Sequence, residues 1–353
     1  MNNQHRSRTR FITCYMLALL AVFSLGSCAQ SDVPGPGVGD RAVSFGAYVG
    51  TAVGSRAFVA DIAAMKQTGF GVFASSTGNN DFNPDPSAGF TPEFMCNQLV
   101  EWSASGNDGV WKYDPVKSWP TTKLSFFAYA PYSAGGGKTG IVGLSGPQDP
   151  GSPKLTFRMD SDVDAQTDLL LADASLNLVN SGKVQFVFRH ALSRIGLSCS
   201  VGNDVDPDSR VTLKGITFRS SELAVAGELD LCAGRWGNLV KGDMAYSLSV
   251  AGSDFVATDD GISVADGKYL MLIPSEGEVP VEITVDYDVT TADGRLDGGS
   301  ITVANSLTTR FDHSFELGKA YSFTLRVGLD DVSVEVGVAD WENVDHDWLP
   351  IEK

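Results

Sequence analysis

The chain has 353 residues, 43% of them hydrophobic, with 43 acidic against 26 basic side chains and a formal net charge of −17. That length suits about two domains of ordinary size. So acidic a surface repels nucleic acid and anionic headgroups, which excludes nucleic acid as an expected partner.

The amino end carries the sharpest signal. Arg6, Arg8 and Arg10 precede an apolar run from Tyr15 to Leu25, too short to span a bilayer. This is the pattern of a secretory signal. The run ends at Leu25-Gly26-Ser27-Cys28, which resembles the lipobox of bacterial lipoproteins. The resemblance implies cleavage after residue 27, acylation of Cys28 and attachment to outer-membrane lipid. Several acyl chains hold a protein stably where one binds only marginally. An ordinary signal peptide that happens to contain a cysteine is the alternative. Taking the three arginines from the 26 basic residues leaves 23 against 43 acids, a net charge of −20.

Residues 28–41 are rich in Pro, Gly, Ser and Asp and read as a flexible tether. After it, apolar residues alternate with period two, the mark of half-buried strands. Val43, Phe45, Ala47 and Val49 share one face of the first candidate strand. Asp61–Gln67 supports no more than two helical turns. Gly69–Ala74 and Leu124–Ala130 are compact apolar runs, and Val184, Phe186 and Phe188 alternate again. Further candidates are Val211–Phe218, Tyr269–Ile273, Val281–Val289 and Ile301–Val303. At the carboxyl end Tyr321, Phe323, Leu325 and Val327 make one row. Beyond a short turn, Val332, Val334, Val336 and Val338 make another.

With 38 glycines and 15 prolines punctuating the strands, the pattern points to an all-β chain built of β-sandwiches. The expected division is a signal peptide over 1–27, the tether over 28–41, one sandwich over 42–181 and a second over 182–353. Cys14 leaves with the signal and Cys28 is lipidated, so Cys96, Cys199 and Cys232 remain. Three cysteines complete no disulfide framework. Either Cys199 bridges Cys232 or all three are buried thiols.

The chemical motifs are poor. Gly135-Gly136-Gly137-Lys138-Thr139 lacks the leading glycine of a phosphate-binding loop, since Tyr132 stands there, and no helix pattern follows. Asp160, Asp162 and Asp164, and again Asp204, Asp206 and Asp208, have the spacing that opens a calcium loop. Ala165 and Leu171 break the first series where glycine and glutamate are needed, and Ser209 and Gly215 break the second. Nucleophile elbows and zinc-type His or Cys clusters are missing, and His190 reads as a packed or edge histidine rather than a base. A carboxylate pair for glycoside cleavage could hide among 43 acids. No catalytic residue, metal or cofactor is expected, and the chain is not expected to be an enzyme; a glycoside-processing enzyme would need a cleft with paired carboxylates.

Several segments resemble one family in the same order along the chain. These are Trp111-Lys112-Tyr113-Asp114-Pro115, Ser118-Trp119-Pro120, the run LSFFAYAP at 124–131, Gln166-Thr167-Asp168-Leu169-Leu170 with Ala172, and VQFVFRHALSRI at 184–195. Phe315-Glu316-Leu317-Gly318-Lys319-Ala320-Tyr321, the valine row and Asp340-Trp341 complete the set. Together they are similar to the fimbrillin-family lipoproteins, the pilus subunits of Gram-negative anaerobes.

The resemblance implies two tandem transthyretin-like β-sandwich domains after a lipoprotein signal peptide, and a structural or adhesive pilus subunit. It also implies assembly by donor-strand exchange. An Arg-specific protease removes the lipidated start with the first strand, and a neighbouring subunit fills the vacated groove. Here the replaced strand is 43–49 (Val43, Phe45, Ala47, Val49). Arg56 is the favoured cleavage point over Arg41, because cutting at Arg41 would free the tether but open no groove. Val332, Val334, Val336 and Val338 are the donor candidates, with completion of their own sandwich as the equal alternative. The expected partners are other pilus subunits and outer-membrane lipid, with a host glycan or protein as adhesion target. The rival is a lipoprotein that stays anchored and binds such a glycan or protein.

Overall fold

The computed structural model describes residues 41–49, 58–105, 108–135, 139–206, 208–249, 254–256, 262–263, 269–295 and 299–341. Cys28 and Arg56 lie outside the described residues.

Strands make up nearly all of the regular structure among the described residues. Its first part comprises β1 (Ser44–Val49), α1 (Phe58–Thr68), β2 (Phe70–Ser76), β3 (Met95–Ser105), β4 (Asp108–Lys112) and β5 (Leu124–Ala130). β6 (Ile141–Leu144), β7 (Lys154–Arg158), β8 (Leu170–Ala172), β9 (Ser175–Leu178) and β10 (Lys183–His190) follow. The second part holds β11 (Ser193–Val201), β12 (Ser209–Ser220), β13 (Ala224–Asp230), β14 (Arg235–Lys241) and β15 (Met244–Ser249). Next come the short β16 (Asp254–Val256), β17 (Ile262–Ser263) and β18 (Leu270–Leu272). β19 (Val279–Ala292), β20 (Ser300–His313), β21 (Lys319–Val327) and β22 (Val332–Asp340) complete the described chain.

The first sheet runs β1-β10-β8-β5-β2-β3-β4, with β9 joined to β5. β5 and β2 are its neighbouring central strands and are buried on both faces. Phe70, Val72, Ala74, Phe126 and Ala128 point into one core, shared with Val43, Phe45, Phe186 and Phe188. Phe73, Phe127 and Tyr129 point the other way, into a larger core that continues through Leu155 and Phe157 to Phe323 and Leu325. A strand covered on both sides gains from apolar side chains at every position. It therefore reads as an unbroken hydrophobic run rather than an alternation.

Two further sheets face each other across the larger core, as a β-sandwich does. One is ordered β17-β11-β21-β22, with β18 on β11; the other is β15-β12-β19-β20, with β16 on β12. Ile195, Leu197, Phe323 and Leu325 from the first meet Leu213, Phe218, Ile283 and Val285 from the second. A fourth sheet, β14-β13-β7-β6, pairs strands from the two parts of the chain.

Three local readings change. The helix is longer than two turns, with 11 residues. The strand expected at Ile301–Val303 extends to His313, 14 residues in all. Its polar stretch hides the alternation, while hydroxyl bonds between Thr284 and Thr308 (2.9 Å) and between Thr290 and Thr302 (2.8 Å) support its pairing with β19. The three described cysteines are all free, Cys199 buried and Cys96 and Cys232 half-buried, so Cys199 does not bridge Cys232.

Candidate functional site

β1 lies at the edge of the first sheet, with β10 as its ladder partner. The pairing is parallel, from Ser44 opposite Lys183 to Val49 opposite Phe188. Parallel partners need a long connection, so this strand is held by residues far away in sequence. The period-two pattern puts Val43, Phe45, Ala47 and Val49 on the inner face. Val43, Phe45 and Val49 are 1%, 2% and 5% exposed, whereas Tyr48 on the outer face is 56% exposed.

Phe45 is the deepest plug. Its ring stacks on Phe186 at 5.7 Å and meets Tyr113 at 5.2 Å, Phe126 at 6.0 Å and Phe70 at 6.4 Å. Burying a side chain of this size contributes about 1.5–3 kcal/mol, so Val43, Phe45 and Val49 together contribute roughly 4–9 kcal/mol. That is comparable with the whole net stability of a domain, about 5–15 kcal/mol. An empty β1 groove would therefore be a strong acceptor for any strand that restores the row.

The amino end of β1 is tied down by the segment that links β4 to β5. Val43 N–H donates to the Lys117 carbonyl at 2.9 Å, and Trp119 N–H donates to the Arg41 carbonyl at 2.7 Å. The Tyr113 hydroxyl donates to the Val43 carbonyl at 2.9 Å, and burial pushes its pKa up, so it stays protonated and able to donate. The Trp119 indole N–H reaches the Gly182 carbonyl, at the start of β10, at 3.0 Å. Near the other end, α1 lies against β1 and β3, with Met65 buried in the same core and Lys66 Nζ 4.1 Å from the Trp102 ring centroid. These anchors escape a reading by strand pattern, because Tyr113, Lys117 and Trp119 sit in a loop. Tyr113 and Trp119 stand out in the sequence only within the segments that carry the family resemblance.

β22 is also an edge strand, antiparallel to β21 over Val332–Asp340. Its four valines lie opposite Val327, Leu325, Phe323 and Tyr321, all buried. The valines themselves are covered unevenly. Val332 is 7% exposed, Val334 half-buried, Val336 37% exposed and Val338 53% exposed. The facing sheet ends at β20, and its Ile301 and Val303 are likewise exposed, at 46% and 53%.

Other features are occupied by their own geometry. Asp160 and Asp162 accept the backbone N–H of Asp162 and Asp164, and Asp206 accepts that of Asp208, as turn-forming aspartates do. Among the described residues no cluster of three or more His, Cys, Asp or Glu is arranged to hold a metal. A cleft of about 430 Å³ is lined by Arg219, Asp243, Glu282 and Arg310. Four of its charges pair, Arg219 with Asp243 and Arg310 with Glu282, and Asp312 also lines it. The hydrogen bond from Arg219 lowers the Asp243 pKa, the opposite of what a general acid in glycoside cleavage needs.

Residues 55–341 match the family model described as fimbrillin-like. The chain belongs to the fimbrillin-like family. A fimbrial or adhesive role at the cell surface follows from that membership. Among solved structures, a fimbrial protein from Bacteroides vulgatus superposes with a TM-score of 0.71 at 21% identity, over 85% of this chain and 99% of that one. A protein assigned to cell adhesion from Bacteroides uniformis gives 0.50 at 14% identity, over 85% and 99%. At these identities the two structures speak for the fold, the β-sandwich arrangement expected of the family. No curated protein matches the chain.

Proposed function

We propose that this fimbrillin-like chain is a pilus subunit that is exported as a lipoprotein on Cys28, anchored in the outer membrane and assembled by strand exchange. Cleavage after Arg56 removes the lipidated start together with β1. The groove beside β10 then accepts a strand from another copy, with β22 and its valines Val332, Val334, Val336 and Val338 as the donor.

The observation that carries this reading is the position of β1. It is an edge strand that fills a deep apolar groove, and it joins the rest of the chain through residues 50–57, which include Arg56. Removing an edge strand leaves the neighbouring ladder intact, and an extended segment can re-form the lost hydrogen bonds by strand addition. Arg41 is the weaker cleavage point. Its carbonyl is bonded to Trp119 and it precedes β1, so cutting there leaves the groove filled.

The test is Arg56→Ala in the full chain, expressed in a lipoprotein-exporting host and exposed to an arginine-specific protease. The expected product is an anchored monomer with acylated Cys28 and no fibres, where the unaltered chain gives fibres whose subunits begin at Ala57. Normal fibres from the variant would overturn the cleavage step. Fibres that retain acylated Cys28 in every subunit would favour the permanently anchored lipoprotein that binds a host glycan or protein.

A further inference from the structure

Trp341 follows directly on β22 and is 7% exposed. Its ring lies parallel to the His190 imidazole, with centroids 3.8 Å apart and planes 2° from parallel. The Arg194 guanidinium is 5.3 Å from the same indole centroid and 4.1 Å from that of Tyr269. Asp168 fixes the imidazole, with Oδ2 2.7 Å from His190 Nδ1. The Trp341 backbone N–H donates to the Gly318 carbonyl at 2.9 Å, and Gly318 N–H donates to the Leu192 carbonyl at 3.0 Å. The carboxyl end of β22 is thus fastened to the corner between β10 and β11, not only to its ladder neighbour β21.

The rest of that end is held weakly. Val336 and Val338 leave 37% and 53% of their surface exposed, and the Lys319–Asp340 ion pair at 2.5 Å joins a half-buried lysine to an exposed aspartate. Exposed pairs of this kind contribute little. An indole buries roughly 150–250 Å² and gains further from ring stacking and a nearby cation. Among the described residues, most of the side-chain hold on the last residues of β22 therefore resides in Trp341. An edge strand with a partly exposed row can open locally unless its end is fixed.

We infer that Trp341 is the latch that keeps β22 on its own sandwich, and that undocking its indole from His190 and Arg194 frees the valine row for a second copy of this chain. The inference rests on the reading of β22 as the donor strand. Its chemistry suits a latch, because the ring is gripped by side chains of β10 and β11 and can leave without breaking the β11–β21 ladder. His190 and Asp168 act as positioning residues, presenting a flat face to the indole.

The test is hydrogen exchange on the full chain with Trp341→Ala, and with Trp341→Phe, which keeps an aromatic ring if the alanine variant folds poorly. Amides of residues 333–340 are expected to exchange about tenfold faster in Trp341→Ala and by an intermediate factor in Trp341→Phe, while β12 and β19 are unchanged. Fibre growth started by an arginine-specific protease is expected to speed up in step. Unchanged exchange in β22, or a uniform rise in every strand, would overturn the latch. Selective loosening of β22 without faster growth would locate the failure in the donor reading and overturn the regulatory role with it.

Discussion

β1 and β22 are both edge strands with a row of four small or apolar residues, yet the chain treats them differently. β1 drives Val43, Phe45 and Val49 into a closed core and has its amino end bonded to Lys117, Tyr113 and Trp119. β22 wastes half of its row on solvent, with Val336 37% and Val338 53% exposed, and relies on Trp341 at its end. One strand is a plug for a groove that would be costly to leave empty. The other carries a row with unspent apolar surface. The contrast agrees with a division of roles in which the first strand is replaced and the last one replaces.

The largest expected effect tests the plug. Phe45→Ala should destabilise the full chain by about 3–5 kcal/mol, the range for truncating a fully buried aromatic, read as a shift of the urea midpoint. A loss below about 1 kcal/mol would mean that the groove collapses around the missing ring and is no acceptor. Tyr113→Phe should cost about 1 kcal/mol, the net worth of its hydrogen bond to the Val43 carbonyl. It should also raise hydrogen exchange at the start of β1 without affecting β22.

Acidification acts on the opposite side of the comparison. His313 ends β20, and its Nε2 is buried without a hydrogen-bond partner among the described residues, beside Tyr321 and Phe323, which lie opposite Val338 and Val336. Burial lowers its pKa, with Glu278 opposing in part. The folded chain therefore binds this proton less readily than the unfolded chain. Stability from the neutral ring is complete above the ordinary histidine range and is lost as the pH falls from there through the lowered value. His313→Gln should flatten that part of the pH profile, measured as urea midpoints between about pH 7.5 and 5. An unchanged slope would show that His313 is not the group responsible.

The smallest effect on the isolated chain is expected from Val336→Thr with Val338→Thr. Exposed positions change stability by no more than about 0.5 kcal/mol, so the urea midpoint should barely move. Fibre formation after proteolysis should fall sharply if the row is the donor. Equal fibre yield would leave β22 as a strand that merely completes its own sandwich.

Much of this was legible in the residues. The alternation at 43–49, 184–189, 321–327 and 332–338 marks four strands and the side of each that is apolar, and the ordered aromatic segments carry the resemblance to fimbrillins. Threonine, serine and asparagine mask the inner row of β20, and the hairpin of β3 and β4 mixes charged and aromatic residues, so neither shows a clear period. At the site, Val43 and Phe45 could be placed on the buried face from their spacing. The grip of Tyr113, Lys117 and Trp119 on β1, and of His190 on Trp341, could not, because each joins residues distant in sequence and no local period records such a meeting.

The amino-acid order by itself determined the local facts: an all-β chain, the side of each strand that is apolar, the acidic surface and the family. These follow from side-chain period and composition, which act over a few neighbours. Only the tertiary structure decided that β1 pairs in parallel with β10 at a sheet edge, that β2 and β5 are covered on both faces, and that the valine row of β22 is left half open. Pairing partners and coverage depend on which distant surfaces meet as the cores close, and a period of two within one strand carries no information about its neighbour.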